Sequence, residues 1–148
     1  VFPGGAVDAE DGPVTEVSSF ERAARREVRE ETSIDLRGEL VLTSRWITPE
    51  GLPKRFDTWF FLASVPPDLP VTLQESEAVD YRWIHPEEAL RESEAGRFPM
   101  VFPTIRNLEA IAGFKTAGEL MAARRGARIE AIQPLLIVQD GRKKIVLP

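Results

Sequence analysis

Cysteine is absent from the 148 residues and histidine occurs once, at His85. The first absence excludes disulfides, thiolate metal sites and thiol nucleophiles. The second leaves any Ser-His-Asp triad dependent on one residue and rules out a multi-histidine centre, so a metal here must be held by oxygen. No apolar run approaches the roughly 18 residues that cross a bilayer, and nothing resembles a signal peptide. Basic residues are outnumbered by acidic ones, 19 to 24, for a net charge of −5. That balance disfavours broad binding to nucleic acid or an anionic membrane and leaves a small anionic substrate open. The expectation is a cytoplasmic protein acting on a small molecule, with a homodimer compatible and no nucleic-acid or membrane partner.

What is present suits one core. Apolar residues make up 43% and charged residues 29%, near a globular average, and the length predicts a single domain over 1–148. The chain opens on Val1-Phe2-Pro3-Gly4-Gly5, a strand end running into a turn, which implies first strands upstream of Val1. Asp8 to Thr15 reads as a loop. Ser18, three residues before Glu21, offers a capping box for a helix from about Ser19 to Thr32. Leu40–Ile47 and Asp57–Val65 read as strands, as does Val79–Ile84. Pro86 starts a helix running to Glu94, and Ile105–Ile111 and Ala117–Arg124 are two more. Leu135–Val138 and Ile145–Leu147 flank Asp140-Gly141, a hairpin signal, so that 105–148 supplies helices and a hairpin to the same domain. The central strands stand too close for helical crossovers, which predicts a mixed α/β or α+β sandwich rather than a doubly wound sheet.

The helix of residues 19–32 carries an unusual charge pattern. At about 100° per residue, Phe20, Ala23, Ala24, Val28, Glu27 and Glu31 share one broad face, while Arg22, Arg25 and Arg29 lie opposite. Glu30 and Arg26 flank the apolar stripe, so Glu27, Glu30 and Glu31 converge beside the core. At spacings of three and four, six like-charge pairs face two opposite ones, a net penalty of order 1 kcal/mol at a few tenths per pair. One reading is a solvated charged face. The other is a hard-cation site, in which ligation by Mg²⁺ or Mn²⁺ offsets the carboxylate repulsion.

Gly4-Gly5 followed by Arg26-Glu27-Val28-Arg29-Glu30-Glu31-Thr32-Ser33-Ile34 resembles the Nudix box, Gly-x5-Glu-x7-Arg-Glu-U-x-Glu-Glu-x-Gly-U with U aliphatic. The Arg-Glu-U-x-Glu-Glu core is intact. Ser33 stands where the second glycine is usual, Ser18 falls at the upstream glutamate, and a loop insertion from Asp8 to about Thr15 is needed; Glu16 or Glu21 could approach the site instead. Phe2-Pro3-Gly4-Gly5-x-x-Asp8, Trp46-Ile47-Thr48-Pro49, Arg55-Phe56-Asp57-Thr58-x-Phe60-Phe61, Glu77 with Tyr81-x-Trp83-Ile84-x-Pro86-x-x-Ala89-Leu90, and Phe102-Pro103-Thr104 resemble the subgroup related to the coenzyme A and acyl-CoA diphosphatases.

This resemblance implies a Nudix α/β/α sandwich with a mixed sheet and a catalytic loop-helix-loop. The implied activity is Mg²⁺- or Mn²⁺-dependent hydrolysis of a nucleoside diphosphate linked to a further moiety, with coenzyme A or an acyl-CoA favoured. Glu27, Glu30 and Glu31 would ligate metal, Glu30 also poising water; Arg26 would orient a glutamate, and the Gly5 carbonyl would add a metal contact. A loop base is implied at Glu75 or Glu77. Among substrate-binding candidates, Arg45 and Arg55 suit phosphates and Trp46 an adenine, although an aromatic in such a strand also suits the core. Trp59, Phe61 and Trp83 are assigned to the core, and His85 to a helix start. The alternatives are ADP-ribose or a nucleoside diphosphate sugar, suggested by Pro49 lying 15 residues after Ile34, and a Nudix-fold sensor that binds without cleaving.

Overall fold

The structure is a computed structural model that describes residues 1–76 and 80–148. Its first long element is helix α1 (Val17–Thr32), rich in alanine, arginine and glutamate, all good helix formers. The expected Ser18–Glu21 capping box does not form. The helix begins two residues earlier, with Glu16 as N-cap, and Ser18 Oγ bonds the Glu16 carboxylate at 3.3 Å. Its C-terminus is Ser33, in the left-handed region at φ 59°, whose N–H donates to Arg29 O. Glycine is favoured at such a position because it lacks the Cβ that crowds the following carbonyl.

Strands β1 (Leu40–Ile47) and β2 (Asp57–Ala63) pair antiparallel, with an irregularity between Leu42 and Ser44. The second strand stops two residues short of Val65, just ahead of Pro66-Pro67, which cannot donate to a ladder. Four helical or strand segments follow the next loop: α2 (Pro86–Glu94), α3 (Phe102–Ile111), α4 (Ala117–Arg124) and the two-residue strand β3 (Ala131–Ile132). The last of these pairs parallel to Arg45 and Trp46, giving a three-stranded mixed sheet in the order β2-β1-β3. Two residues carry no periodicity, so sequence gives no warning of it. The chain ends in a hairpin of β4 (Leu135–Gln139) and β5 (Arg142–Val146). Its turn is Asp140-Gly141, both at positive φ (52° and 73°), the twist that two-residue hairpins require.

Register shows how the sheet is clad. Arg45 pairs with Trp59, which stacks on Phe20 of α1 at 4.5 Å between ring centroids. The neighbouring β1 residues Ser44 and Trp46 point to the other face, where Trp46 meets Phe102 of α3 edge-on and Ser44 Oγ bonds Asn107. The sheet thus has helices on both faces, a mixed α+β sandwich, with Ala23, Val41, Trp46, Ala89, Leu108 and Met121 at its buried centre.

Two expectations fail here. Of the expected strand Val79–Ile84, Val79 lies outside the described residues and 80–84 are not a strand; the Asp80 carboxylate instead takes the Tyr81 N–H at 2.8 Å, a local bond that competes with a ladder. Trp83 belongs to the surface rather than the core, at 60% exposure. His85 is the N-cap residue of α2, as expected, with its carbonyl accepting from Ala89 N. Among the described residues, no helix is long and apolar enough to cross a membrane.

Candidate active site

The N-terminal segment and α1 meet along the glutamate-bearing face. Gly4 N donates to Glu31 Oε1 at 2.9 Å, and the Ala6 carbonyl accepts from Arg26 Nη2 at 2.9 Å. Between these contacts, Gly5 lies so close to Glu27 that a Cβ would sit 2.3–2.6 Å from its carboxylate atoms. Only glycine lets the backbone approach so closely. The glycine pair of the motif therefore presses its backbone onto two of the three box glutamates.

Arg26 is the hub. Its side chain, 11% exposed, donates from Nη2 to Asp11 Oδ2 at 2.8 Å, from Nη1 to Glu27 Oε1 at 2.8 Å, and from Nη1 to Glu30 Oε2 at 3.2 Å. Its Nε faces both Asp11 oxygens at 3.2–3.3 Å, so the guanidinium fork engages the carboxylate along one edge. Hydrogen bonding to Asp11 holds the Arg26 pKa far above its ordinary value, against the opposing effect of burial. The reciprocal bond from Arg26 depresses the Asp11 carboxyl, with the Asp8 N–H contributing; partial desolvation opposes them. Asp11 is almost closed to water, yet the hydrogen bond from Arg26 outweighs its desolvation.

Asp11 was not among the expected site residues. It ends a turn of 3₁₀ helix (Ala9–Asp11), where its N–H bonds Asp8 O and its Oδ2 accepts from Asp8 N at 2.9 Å. Arg22 Nε donates to the Asp11 carbonyl from α1. The signal was in the spacing: Asp11 follows Gly5 after five residues, the separation at which the box has its first acid. The extra residues lie between Asp11 and Arg26, so the insertion follows the first acid instead of preceding it. Ser18, Glu16 and Glu21 make no bond to Arg26, and the acidic partner is Asp11.

The oxygen donors suit a hard cation in type: three carboxylates on adjacent turns under a backbone without Cβ atoms, and no nitrogen or sulfur ligand. As arranged, Glu27 and Glu30 turn to Arg26 and Glu31 turns to Gly4 N. Among the described residues, no three His, Cys, Asp or Glu side chains stand close enough together to hold an ion. The loop expected to bring a base is tied to the end of α1, where Thr72 N and Gln74 N donate to the carbonyls of Thr32 and Glu31 at 3.0 and 2.9 Å. That places exposed Glu75 next to the anchor; Glu77 lies outside the described residues.

The substrate-binding candidates separate. Trp46 is 5% exposed, edge-on to Phe102 and bonded through Nε1 to Ser44 Oγ, so it presents no free face to a base. Arg45 is held by both oxygens of Asp57 (2.8 and 2.6 Å) and lies over the Trp59 ring at 4.7 Å. The pairing raises the Arg45 pKa and lowers that of Asp57. Arg55 is exposed, bonds only the Thr48 carbonyl, and has no carboxylate partner among the described residues.

The chain belongs to the Nudix family: the NUDIX domain model matches residues 1–103. Two curated proteins are similar. "Putative nudix hydrolase 7" of Caenorhabditis elegans is 33% identical over 76 residues, covering 51% of this chain and 26% of that protein. The human "Acyl-coenzyme A diphosphatase NUDT19" is 29% identical over 104 residues, covering 66% of this chain and 28% of that protein. The chain thus matches little more than a quarter of the length of these relatives. No solved structure matches it significantly.

Proposed function

We propose that the chain is a divalent-metal-dependent hydrolase of nucleoside diphosphate derivatives, with coenzyme A or an acyl-CoA as the favoured substrate. The observation that carries the reading is the Arg26 hub: a fully engaged guanidinium fixes Glu27 and Glu30 on the helix that also bears Glu31, under the glycine backbone of residues 4–5. Glu27, Glu30 and Glu31, with the Gly5 carbonyl, would hold Mg²⁺ or Mn²⁺. When bound, the ion neutralises non-bridging phosphoryl oxygens and acidifies water. Arg26 acts as a positioning residue, held by Asp11 so that the glutamates keep their places. Water attacks one phosphorus, the bridging P–O bond breaks, and two phosphate monoesters leave. The proton from water passes to a carboxylate, Glu30 or a glutamate of the loop at Glu75 or Glu77.

The substrate preference rests on the human relative's name and on the motif segments of the sequence. Coenzyme A differs from ADP-ribose in carrying a 3′-phosphate, and of the two arginines read as phosphate contacts Arg55 is the one without a carboxylate partner among the described residues. The rival cue, Pro49, is buried, which accounts for it as part of the β1 end.

One assay tests the reading. Hydrolysis of coenzyme A, dephospho-coenzyme A and ADP-ribose is compared at equal Mg²⁺. Coenzyme A should lead, and Arg55→Ala should lower its kcat/KM by roughly 10- to 150-fold while sparing dephospho-coenzyme A, the range expected for one charge-assisted contact. Faster cleavage of ADP-ribose would overturn the substrate reading; binding of any of the three without cleavage would favour a sensor.

A further inference from the structure

We propose that a concavity on the back of α1 binds a phosphate group, through Arg22, Arg25 and Arg29. The cavity measures about 320 Å³ and is lined by these three residues and Arg26, together with Glu10, Asp11 and Asp35. Its acids are largely spoken for: Asp11 is paired to Arg26, and Asp35 to Arg37 at 2.8 Å. Glu10 alone makes no ion pair among the described residues.

The arginines are committed differently. Arg22 donates to the Asp11 carbonyl and to Ser19 Oγ at 3.1 Å; Arg25 donates to the carbonyls of Leu36 and Gly38. These acceptors are neutral, so they orient the guanidiniums without cancelling their charge. Arg29 is exposed and, among the described residues, makes no side-chain hydrogen bond or ion pair. Loop anchoring explains Arg22 and Arg25 but gives Arg29 no structural duty. Four arginines face three carboxylates across the cavity, and Arg37 pairs Asp35 from outside it, so the lining is cationic in a chain whose net charge is −5. A phosphate anion suits a cationic lining, and its tetrahedral oxygens suit guanidinium forks.

The cavity shares Arg26 and Asp11 with the hub, but Arg22, Arg25 and Arg29 lie on the opposite side of α1 from Glu27 and Glu31, and the proposal does not depend on the hydrolase reading. Its test uses the full chain freed of divalent metal by a chelator, at constant ionic strength set with chloride. Inorganic phosphate and adenosine monophosphate are titrated separately by calorimetry against the wild type, Arg29→Ala, and Arg91→Ala as a control arginine on α2. The result expected is saturable binding of both anions, weakened about tenfold by Arg29→Ala and unchanged by Arg91→Ala. Three results would overturn the proposal: no saturable binding of phosphate, equal loss in the two variants, or binding of the nucleotide alone.

Discussion

Asp11 and Arg26 carry the electrostatics of the site. Because the Asp11 pKa is depressed in the folded chain, the pair stabilises the fold above the ordinary carboxylate range, and that stabilisation disappears as pH falls through the lowered value. Asp11→Asn keeps the shape and removes the charge, leaving Arg26 with Glu27, Glu30 and the Ala6 carbonyl. Denaturant unfolding at pH 7 should show a loss of about 2 kcal/mol, the scale of a hydrogen bond to a charged group. The difference between variant and wild type should shrink below about pH 4 as wild-type Asp11 takes up its proton. A gap that persists unchanged into strong acid would mean that the pair contributes through packing alone. At this scale the sequence disclosed Arg26, Glu27, Glu30 and Glu31 because their types and spacing form a compact pattern on one helix. It hid Asp11 because that residue reaches Arg26 across a loop, and loop length is not constrained by helical geometry.

At the scale of elements, α1 is the helix that carries the box glutamates, and its two ends tell different stories. The predicted capping box failed because Glu16, already in extended backbone with its carbonyl accepting from Ser19 N, starts the helix before Ser18 can cap it. At the other end, Ser33 occupies a left-handed position where the family pattern has glycine. Ser33→Gly should therefore raise stability, by about 1 kcal/mol from relief of the Cβ clash less the added freedom of the unfolded chain. A lower unfolding midpoint for Ser33→Gly would show that the serine hydroxyl contributes something the backbone argument omits. The loop after β2 is anchored to this same helix end through Thr72 and Gln74, which supports a loop carboxylate near the site. Glu77→Gln should lower kcat more than it raises KM if Glu77 accepts the proton in the transition state. Unchanged kcat across pH would assign that role to Glu30.

At the scale of the whole molecule, the alternation of strand and helix signals was sufficient to predict a mixed sandwich, because β1, β2 and the helices each carry their own periodicity. The sheet order was not legible. It depends on β3, whose two residues join β1 only once the chain has folded; the separate β4–β5 hairpin was announced by Asp140-Gly141, and only its Arg142-Lys143-Lys144 start looked like loop. Substrate contacts were the least legible: sequence marks an arginine or a tryptophan but not its commitments, and the fold gives Trp46 to the core and Arg45 to Asp57. The account depends most on the claim that the box glutamates serve a divalent ion. Glu31→Gln tests it most directly, since a glutamine oxygen can still accept from Gly4 N and the fold should be kept. Coenzyme A hydrolysis is measured against Mg²⁺ concentration for wild type and variant, with thermal unfolding as the control. The account predicts a fall of at least roughly 10²-fold in kcat, with folding retained; near-wild-type turnover of Glu31→Gln at saturating Mg²⁺ would contradict it.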